Sequence, residues 1–307
     1  MTSDVPNASG TDRAILDLRR KLREERGAHA PTAETPALVY RRDLPQPSPR
    51  PVTRTRAGAQ PVPLHEAVTG AEIGHATWGC AFLRTTVARD VCRHGDKVHR
   101  RLMERCGASD APMLQHLASL RSVAQIALGD LLFLDLETAG LANAPVFLVG
   151  LMAVEGEDLV ITQYLARTYA EEAAITAHFV AELQRRGVLV TFNGKTFDLP
   201  YMRVRAAATG VPFCCKAAHL DLLHVSRRAW RDQVPDCKLQ TLERRICGRY
   251  REDDIPGTEV PEAYHAFVHT GDATDIARIM DHNARDLLTL ADLLARIPDE
   301  HWQSAAR

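Results

Sequence analysis

The chain has 307 residues, of which 45% are hydrophobic and 25% charged, a composition that excludes a wholly disordered or fibrous protein. Its net charge of −1 excludes binding of nucleic acid by a bulk positive field, so such a ligand would need a local basic path or metal ions. Because no apolar run is long enough to span a membrane and the N-terminus lacks a secretory pattern, we expect a cytoplasmic protein with seven reduced cysteines and no membrane partner.

Residues 1–63 are predicted to be a mostly disordered tail rich in proline and arginine. Residues 1–65 contain nine of the 17 prolines, and they carry 11 Lys and Arg against 7 Asp and Glu. So many prolines disrupt helix and sheet hydrogen bonds, which predicts an extended linker over 43–63. Residues 12–26 can form one short amphipathic helix, either marginal in isolation or able to dock on a protein partner.

Residues 64–128 are predicted to be a small mixed extension. An apolar patch covers 76–83, and a helical run covers 112–128. The segment also contains residue types that bind zinc, at spacings that fit no paired zinc motif: Cys92, His94, His99 and Cys106. We therefore interpret these side chains as scattered thiols and solvated histidines.

Residues 129–298 are predicted to form an α/β domain, followed by a C-terminal tail at 299–307. Four apolar runs predict strands at Leu131–Leu136, Val146–Val154, Leu159–Leu165 and Val188–Phe192. Gly156 marks a hairpin turn, and Gly210 ends a helix that Pro200 can begin. Periodic apolar residues predict further helices at Glu171–Arg186 and Asp272–Ile297. This order favours a mixed sheet flanked by helices.

Asp135 and Glu137 stand two residues apart at the end of the first predicted strand of this domain. The two-residue period of a strand puts both carboxylates on one side. Two like charges about 4 Å apart repel by about 4 kcal/mol at an effective dielectric constant near 20, so burial requires a compensating cation or hydrogen bonds. An Asp-x-Glu pair is common by chance and by itself is weak support for a metal site.

Two further motifs contain acidic residues at element boundaries or on a helix. Asp198 follows the fourth strand of the domain just before Pro200, where it could also cap the helix. Within the same turn, Asn193 could be a turn residue and Phe197 an ordinary core residue. On the last helix His282 and Asp286 are separated by one turn and share a face, which is equally typical of a surface hydrogen bond.

Taken in order, these motifs resemble the DEDD exonuclease superfamily, and within it the YprB-like family of ribonuclease-H-like domains described as predicted exonucleases. The matching segments are GDLLFLDLETAGL (129–141), TFNGKTFD (191–198), HLDLLHVSRRAW (219–230), RYREDDIPG (249–257) and HNARDLLTL (282–290). The resemblance covers roughly residues 66–297 and implies a ribonuclease-H-like fold that hydrolyses phosphodiester bonds of DNA or RNA from a 3′ end.

The resemblance also implies a site. Asp135, Glu137, Asp198 and Asp286 would bind two divalent ions, Mg²⁺ or Mn²⁺, which prefer carboxylate oxygens. His282 would orient or deprotonate the attacking water. Superfamily members with a catalytic histidine usually place it five residues before the last Asp, and members with a catalytic tyrosine place it four before, so His282 has the spacing of the tyrosine. The expected substrate-binding residues are Asn193, Lys195 and Phe197, with Lys195 the preferred phosphate contact.

Several features stay open at the level of sequence. Asp221 could line the cleft or act as a cap or ion-pair partner, and Asp253 and Asp254 are interpreted as a turn before Pro256. Two arginine clusters could follow a phosphate backbone or form solvated helix faces: Arg227, Arg228 and Arg231, and Arg244, Arg245, Arg249 and Arg251. Two alternatives to the exonuclease remain, a catalytically weak nucleic-acid-binding or scaffolding module and an endonuclease.

Overall fold

A seven-stranded mixed sheet forms the centre of the structure, a computed structural model that describes residues 60–106, 111–141, 143–251 and 254–303. The strands are β1 (Ala71–His75), β2 (Gly79–Val87), β3 (Leu131–Thr138), β4 (Val146–Glu155), β5 (Asp158–Leu165), β6 (Val188–Thr191) and β7 (Ala218–Asp221). Their order is β1-β2-β5-β4-β3-β6-β7, with β3, β6 and β7 parallel and all other neighbours antiparallel. The sheet thus includes two strands from the predicted N-terminal extension.

The helices cover both faces of this sheet. They are α1 (Leu64–Ala67), α2 (Ala88–Val91), α3 (Gly95–Cys106), α4 (Pro112–Arg121), α5 (Glu172–Gln184), α6 (Asp198–Thr209), α7 (Leu222–Trp230), α8 (Leu239–Arg245), α9 (Val260–Thr270), α10 (Thr274–Arg296) and α11 (Glu300–Gln303). Helix α4 is shorter than the predicted 112–128, because Ser122 adopts a left-handed conformation that ends it. Among the residues that the structure describes, none of the helices combines the length and the hydrophobicity of a membrane-spanning segment.

The predicted mixed α/β architecture is confirmed, whereas the predicted helix at 12–26, most of the predicted tail and Asp253 lie outside the described residues. The hairpin between β4 and β5 turns at Gly156, whose φ of 62° suits glycine. Gly210 ends α6 in a left-handed conformation, as predicted. Helix α6, however, begins at Asp198, two residues before Pro200. All seven cysteines are free thiols.

Alternate residues of β3 face two separate apolar layers. Leu132 and Leu134 pack in the layer that includes α5, α6 and α9, whereas Leu131 and Phe133 pack in the layer of α3, α4, α7 and the second half of α10. By the same alternation Asp135 and Glu137 face the side of the sheet that α10 covers. Register shifts between Glu137 and Thr138, so a bulge lies directly beside the two carboxylates.

His219 joins the ends of β6 and β7, the two parallel strands beside the carboxylates. Its Nε2 atom lies 2.8 Å from Thr191 Oγ1. The pKa of this imidazole is lowered from 6.5 to about 4, chiefly by burial and to a smaller extent by the charges of Lys195 and Arg203, with Asp221 opposing them. The unfolded chain, whose histidine titrates near pH 6.5, binds the proton more readily. The stability that neutral His219 provides is therefore present above about pH 6.5 and is lost as the pH falls towards 4.

A His219→Gln variant is therefore expected to show a weaker loss of unfolding free energy between pH 7 and pH 4 than the unchanged protein. Glutamine can keep a hydrogen bond to Thr191 but does not titrate. Urea unfolding at a series of pH values measures the effect, with His65→Gln as the control because the side chain of His65 is exposed. Equal pH dependence in the His219 variant and the unchanged protein would contradict the expectation.

Candidate active site

Four acidic side chains from three elements lie near one another beside the carboxyl ends of β3 and β6. Asp135 and Glu137 belong to β3, Asp198 opens α6 directly after the turn that follows β6, and Asp286 lies in the middle of α10. Burial raises the pKa of Asp135 well above its ordinary value, and the charges of Asp286, Glu137 and Asp198 raise it further. All four predicted carboxylates are therefore within electrostatic reach of one another.

Two of the other carboxyl groups also resist ionisation. Burial raises the pKa of Glu137 to about 8, against the opposing charge of His282. Burial likewise raises the pKa of Asp198 to about 7, with a backbone hydrogen bond lowering it and Asp221 raising it. The site thus holds more negative charge than its own cations compensate, and either protons or an added cation would relieve the repulsion.

Asp286 differs from the other three, because it already has two cationic partners. Its Oδ2 atom lies 3.3 Å from His282 Nε2, and Arg251 Nη2 donates to its Oδ1. Burial alone would raise the pKa of Asp286, but the hydrogen bonds and charges of His282 and Arg251 hold it below its ordinary value. Arg251 is itself nearly buried and also pairs with Glu243 at 2.6 Å.

His282 lies between two carboxylates. Its Nδ1 atom is 2.6 Å from Asp254 Oδ1, and its Nε2 atom faces Asp286. Although burial alone would lower it, the pKa of His282 is raised to about 10, chiefly by the hydrogen bond and charge of Asp286 and then by Asp254. In this arrangement the imidazole is protonated at neutral pH and donates from both nitrogens. Asp254, interpreted as part of a turn, is thus a partner of His282.

Asn283 fixes the orientation of Asp135. Its Nδ2 atom donates to Asp135 Oδ2 at 2.7 Å and to the backbone oxygen of the same residue at 3.1 Å, while its Oδ1 accepts from Gln163 Nε2 at 2.8 Å. Gly150 lies opposite both Asp135 and Gln163 in the sheet. A Cβ atom on Gly150 would stand 2.0 Å from Asn283 Oδ1, so only glycine allows the amide to lie there.

Sequence reasoning did not assign this group of Asn283, Gln163 and Gly150 to the site. The one available signal was the position of Asn283 inside HNARD, where four of five residues are polar in an otherwise largely apolar part of the helix. The other two residues lie in β4 and β5 with no distinguishing local pattern. Their role depends on cross-strand register, which a single sequence does not reveal.

The turn from β6 into α6 is fixed by Asp221. Its two carboxylate oxygens accept the backbone N–H groups of Asn193 at 2.8 Å and Lys195 at 3.1 Å, and it also caps α7 by accepting from Leu223 at 3.1 Å. This is the capping role weighed for Asp221, next to the site rather than apart from it. Asn193 adopts φ 64°, a conformation that asparagine tolerates and that suits a turn residue.

The remaining substrate-binding candidates lie on the surface of this turn. Lys195 is exposed, and Phe197 is 43% exposed with its ring stacked on Tyr201 at 5.2 Å, so Phe197 is not a core residue. Asp198 is the first residue of α6 and follows Phe197, which occupies the cap position without a capping hydrogen bond. Although burial raises the pKa of the Asp198 carboxyl group, a backbone hydrogen bond lowers it, so a stabilising role at the start of the helix and a place in the acidic group are compatible.

The arginine clusters divide by burial. Arg227, Arg228, Arg244 and Arg245 are exposed on helices α7 and α8, as the solvated-face interpretation expects. Arg249 and Arg251 are instead nearly buried, and Arg249 pairs with Asp292 and Glu243. These two guanidiniums belong to an internal ion-pair network that connects α8 with α10.

The donor chemistry of the acidic group fits a hard divalent cation, because it offers only carboxylate oxygens and carries uncompensated negative charge. The arrangement is not preformed, however: among the described ranges, no three acidic, histidine or cysteine side chains stand close enough to hold an ion as they are. An ion that binds Asp286 would have to compete with Arg251. The acidic group therefore fits a divalent cation in its charge and in the type of its ligand atoms, but not in the distances between them.

Comparison with known proteins agrees with this reading of the fold. The family model described as the RNase_H superfamily matches residues 132–297, more than half of the chain. The chain belongs to the ribonuclease H superfamily. The predicted ribonuclease-H-like fold and the YprB-like family are thus confirmed, and the superfamily indicates a nucleic-acid-processing protein, generally a nuclease that uses divalent metal ions.

One curated relative is "Uncharacterized protein YprB" of Bacillus subtilis (strain 168), which is 32% identical over 169 residues. The match covers 53% of this ribonuclease H superfamily chain and 41% of the relative, so the chain spans about two fifths of that protein. Among solved structures, the family B DNA polymerase from the hyperthermophilic archaeon Pyrobaculum calidifontis is similar over 53% of this chain and 24% of its own, with 20% identity and a TM-score of 0.43.

Proposed function

We propose that the protein is a metal-dependent 3′–5′ exonuclease that hydrolyses phosphodiester bonds at a single-stranded end of DNA or RNA. The proposal rests on the proximity of Asp135, Glu137, Asp198 and Asp286. Burial raises the pKa values of the first three, and repulsion from the other members raises those of Asp135 and Glu137 further. A structural role does not account for such a group, since buried like charges destabilise a fold unless a cation or proton compensates them.

The four carboxylates would hold the two ions, Mg²⁺ or Mn²⁺, which when bound stabilise the charge of the attacking and leaving oxygens. Asn283 keeps the carboxylate of Asp135 in one orientation. Phe197 and Lys195 lie one and three residues before Asp198, and both are exposed. There the ring of Phe197 would contact a terminal base and the ammonium of Lys195 would contact a phosphate. These contacts are the predicted substrate-binding role of the turn.

His282 is the candidate for orienting the attacking water. Since its pKa is raised to about 10, it is protonated at neutral pH and donates hydrogen bonds, which supports an orienting role. Its role as general base stays a prediction. Removal of a proton from water would require Asp286 and Asp254 to stabilise its positive charge less than they do in this arrangement.

One observation favours the alternative of a nucleic-acid-binding module with weak catalysis. Arg251 forms an ion pair with Asp286 and so already neutralises one of the four carboxylates. If that pair persisted in the presence of Mn²⁺, fewer carboxylates would be free to bind an ion. Such a module would still bind nucleic acid but would hydrolyse it slowly or not at all.

The proposal predicts that Mn²⁺ stabilises the full chain and that the Asp198→Ala variant loses this effect. An ion present at 100 times its dissociation constant raises the unfolding free energy by about 2.7 kcal/mol, which thermal melting detects. With Mn²⁺ the unchanged protein, but not the Asp198→Ala variant, should release mononucleotides from 5′-labelled single strands. The lengths of the labelled products separate exonuclease from endonuclease action. Stabilisation without hydrolysis would favour the binding module, and absence of both would overturn the proposal.

A further inference from the structure

A cleft adjoins the acidic group and is lined in part by Arg251, which also contacts Asp286. It has a volume of about 290 Å³ and lies between the segment that joins α2 to α3, the segment after α8, and α10. Its lining includes Arg93, His94, Arg249, Tyr250, Arg251 and Arg285. Because Arg251 also contacts Asp286, and Arg285 precedes Asp286 in the chain, the cleft borders the candidate active site.

Two of the four arginines in this cleft carry charge that no described residue neutralises. The other two, Arg249 and Arg251, are paired with Asp292, Glu243 and Asp286, and Glu243 also lines the cleft. Arg93 and Arg285, by contrast, form no side-chain hydrogen bond or ion pair within the described part of the chain, and Arg93 is exposed. Two unpaired guanidiniums at the mouth of one concave site are suited to an anion.

His94 lies in this cleft among cationic side chains. Burial lowers the pKa of His94, and the charges of Arg93, Arg249 and Lys97 lower it further, with Asp292 as the opposing charge. The imidazole therefore experiences more positive than negative charge. A neutral imidazole among guanidiniums adds a hydrogen-bond donor without adding repulsion between cations.

An exposed aromatic ring stands at the rim of the same cleft. The side chain of Tyr250 is 73% exposed, and the guanidinium of Arg244 lies 5.6 Å from its ring centroid. Burial of an apolar core does not explain this position. An aromatic face next to a basic groove is the combination that single-stranded nucleic acids bind, with phosphates on the cations and a base on the ring.

We propose that this cleft binds the backbone of a single-stranded nucleic acid, with Arg93 and Arg285 on its phosphates and Tyr250 stacked on a base. The inference rests on the proposed function for the direction of the strand, which would lead from the cleft into the acidic group. It does not require hydrolysis, so binding can be measured without it.

The test is fluorescence anisotropy of a labelled oligothymidine with the full chain in EDTA, where no divalent ion supports cleavage, over a series of NaCl concentrations. Arg93→Gln and Arg285→Gln are each expected to weaken binding about three- to tenfold and to reduce the slope of log K against log salt by about 0.7. Arg285→Lys should keep the slope of the unchanged protein. Arg185→Gln, an equal charge change at the exposed residue that follows α5, should leave both affinity and slope unchanged.

Tyr250→Ala separates stacking from charge. It is expected to weaken binding about tenfold at every salt concentration with an unchanged slope, because stacking releases no counterions. Repeating the titrations with oligouridine identifies whether the cleft accepts DNA, RNA or both. If Arg93→Gln and Arg285→Gln bind both strands as Arg185→Gln does, the cleft is not the binding site. That result would overturn the proposed binding cleft but not the proposed hydrolysis. If instead the variants change binding as predicted and no hydrolysis is found, the proposed hydrolysis is overturned and the binding cleft is supported.

Discussion

Asp135→Asn is expected to abolish Mn²⁺-dependent hydrolysis and, at the same time, to stabilise the protein in the absence of metal ions. The substitution removes a charged oxygen ligand and keeps the shape of the side chain, so activity should fall by roughly 10³-fold or more. An amide at this position can still accept the hydrogen bond from Asn283. The loss of activity would thus not come from a lost contact.

The gain in stability follows from electrostatics. Burial and the charges of Asp286, Glu137 and Asp198 raise the pKa of Asp135 in the folded protein, so ionisation opposes folding. A carboxyl group with a raised folded pKa stabilises the protein at low pH and loses that contribution as the pH rises. We therefore expect Asp135→Asn to raise the unfolding free energy in EDTA by on the order of 1 kcal/mol at pH 8 and by less at pH 5.

Chemical unfolding at both pH values, paired with a nuclease assay in Mn²⁺, measures the two effects on the same samples. Asp281→Asn is the matched control, because Asp281 is half exposed on α10 and pairs with Arg84 outside the acidic group. The control should change neither hydrolysis nor the pH dependence. Full hydrolysis by the Asp135 variant would remove this residue from the catalytic site, and lower stability in EDTA would contradict the electrostatic argument.

Gly150→Ala is expected to be the most disruptive small substitution near the site. The new Cβ would lie 2.0 Å from Asn283 Oδ1, and Asn283 is fully buried with hydrogen bonds to Asp135 and Gln163. The amide cannot move aside without breaking those bonds. We expect the unfolding free energy to fall by about 2–4 kcal/mol through overpacking and lost hydrogen bonds.

The same change should lower hydrolysis about 100-fold, because Asp135 loses the partner that orients it and small displacements of catalytic groups reduce the rate steeply. Gly74→Ala is the control, as a Cβ at this strand glycine contacts nothing within 4 Å. Combining Gly150→Ala with Asn283→Ala removes the clash, so the double variant should lose less unfolding free energy than the sum of the losses in the two single variants. Strict additivity would show that Asn283 is not what the methyl group meets.

The elements with strong periodicity could be predicted from the sequence. The apolar run at 131–136 became β3, and the residues Ile175, Phe179 and Leu183, spaced four apart, are all buried along α5. Gly210 ends α6 as predicted, since its left-handed conformation is a local property of glycine. Local steric and hydrophobic patterns determine such elements before any distant contact forms.

Pairings between distant residues could not be predicted in this way. Arg251 contacts Asp286 and Asp254 contacts His282, although neither Arg251 nor Asp254 belongs to a helix or strand and their spacing in the chain carried no signal. From its neighbours Asp198 could equally be a helix cap, and the structure places it one position later, as the first residue of α6. Ion pairs of this kind depend on where loops pass, which local propensity does not specify.

The sequence by itself therefore determined the mixed α/β class, the order of its main strands and helices, and the acidic residue types of the candidate site. Only the tertiary structure decided that Asn283 lies against Gly150 and orients Asp135, and that the guanidinium of Arg251 lies on Asp286. The physical reason is the range of the interactions. Short sequence patterns determine backbone conformation and burial. The pairing of buried charges depends on sheet register and helix position, and these depend on contacts throughout the chain.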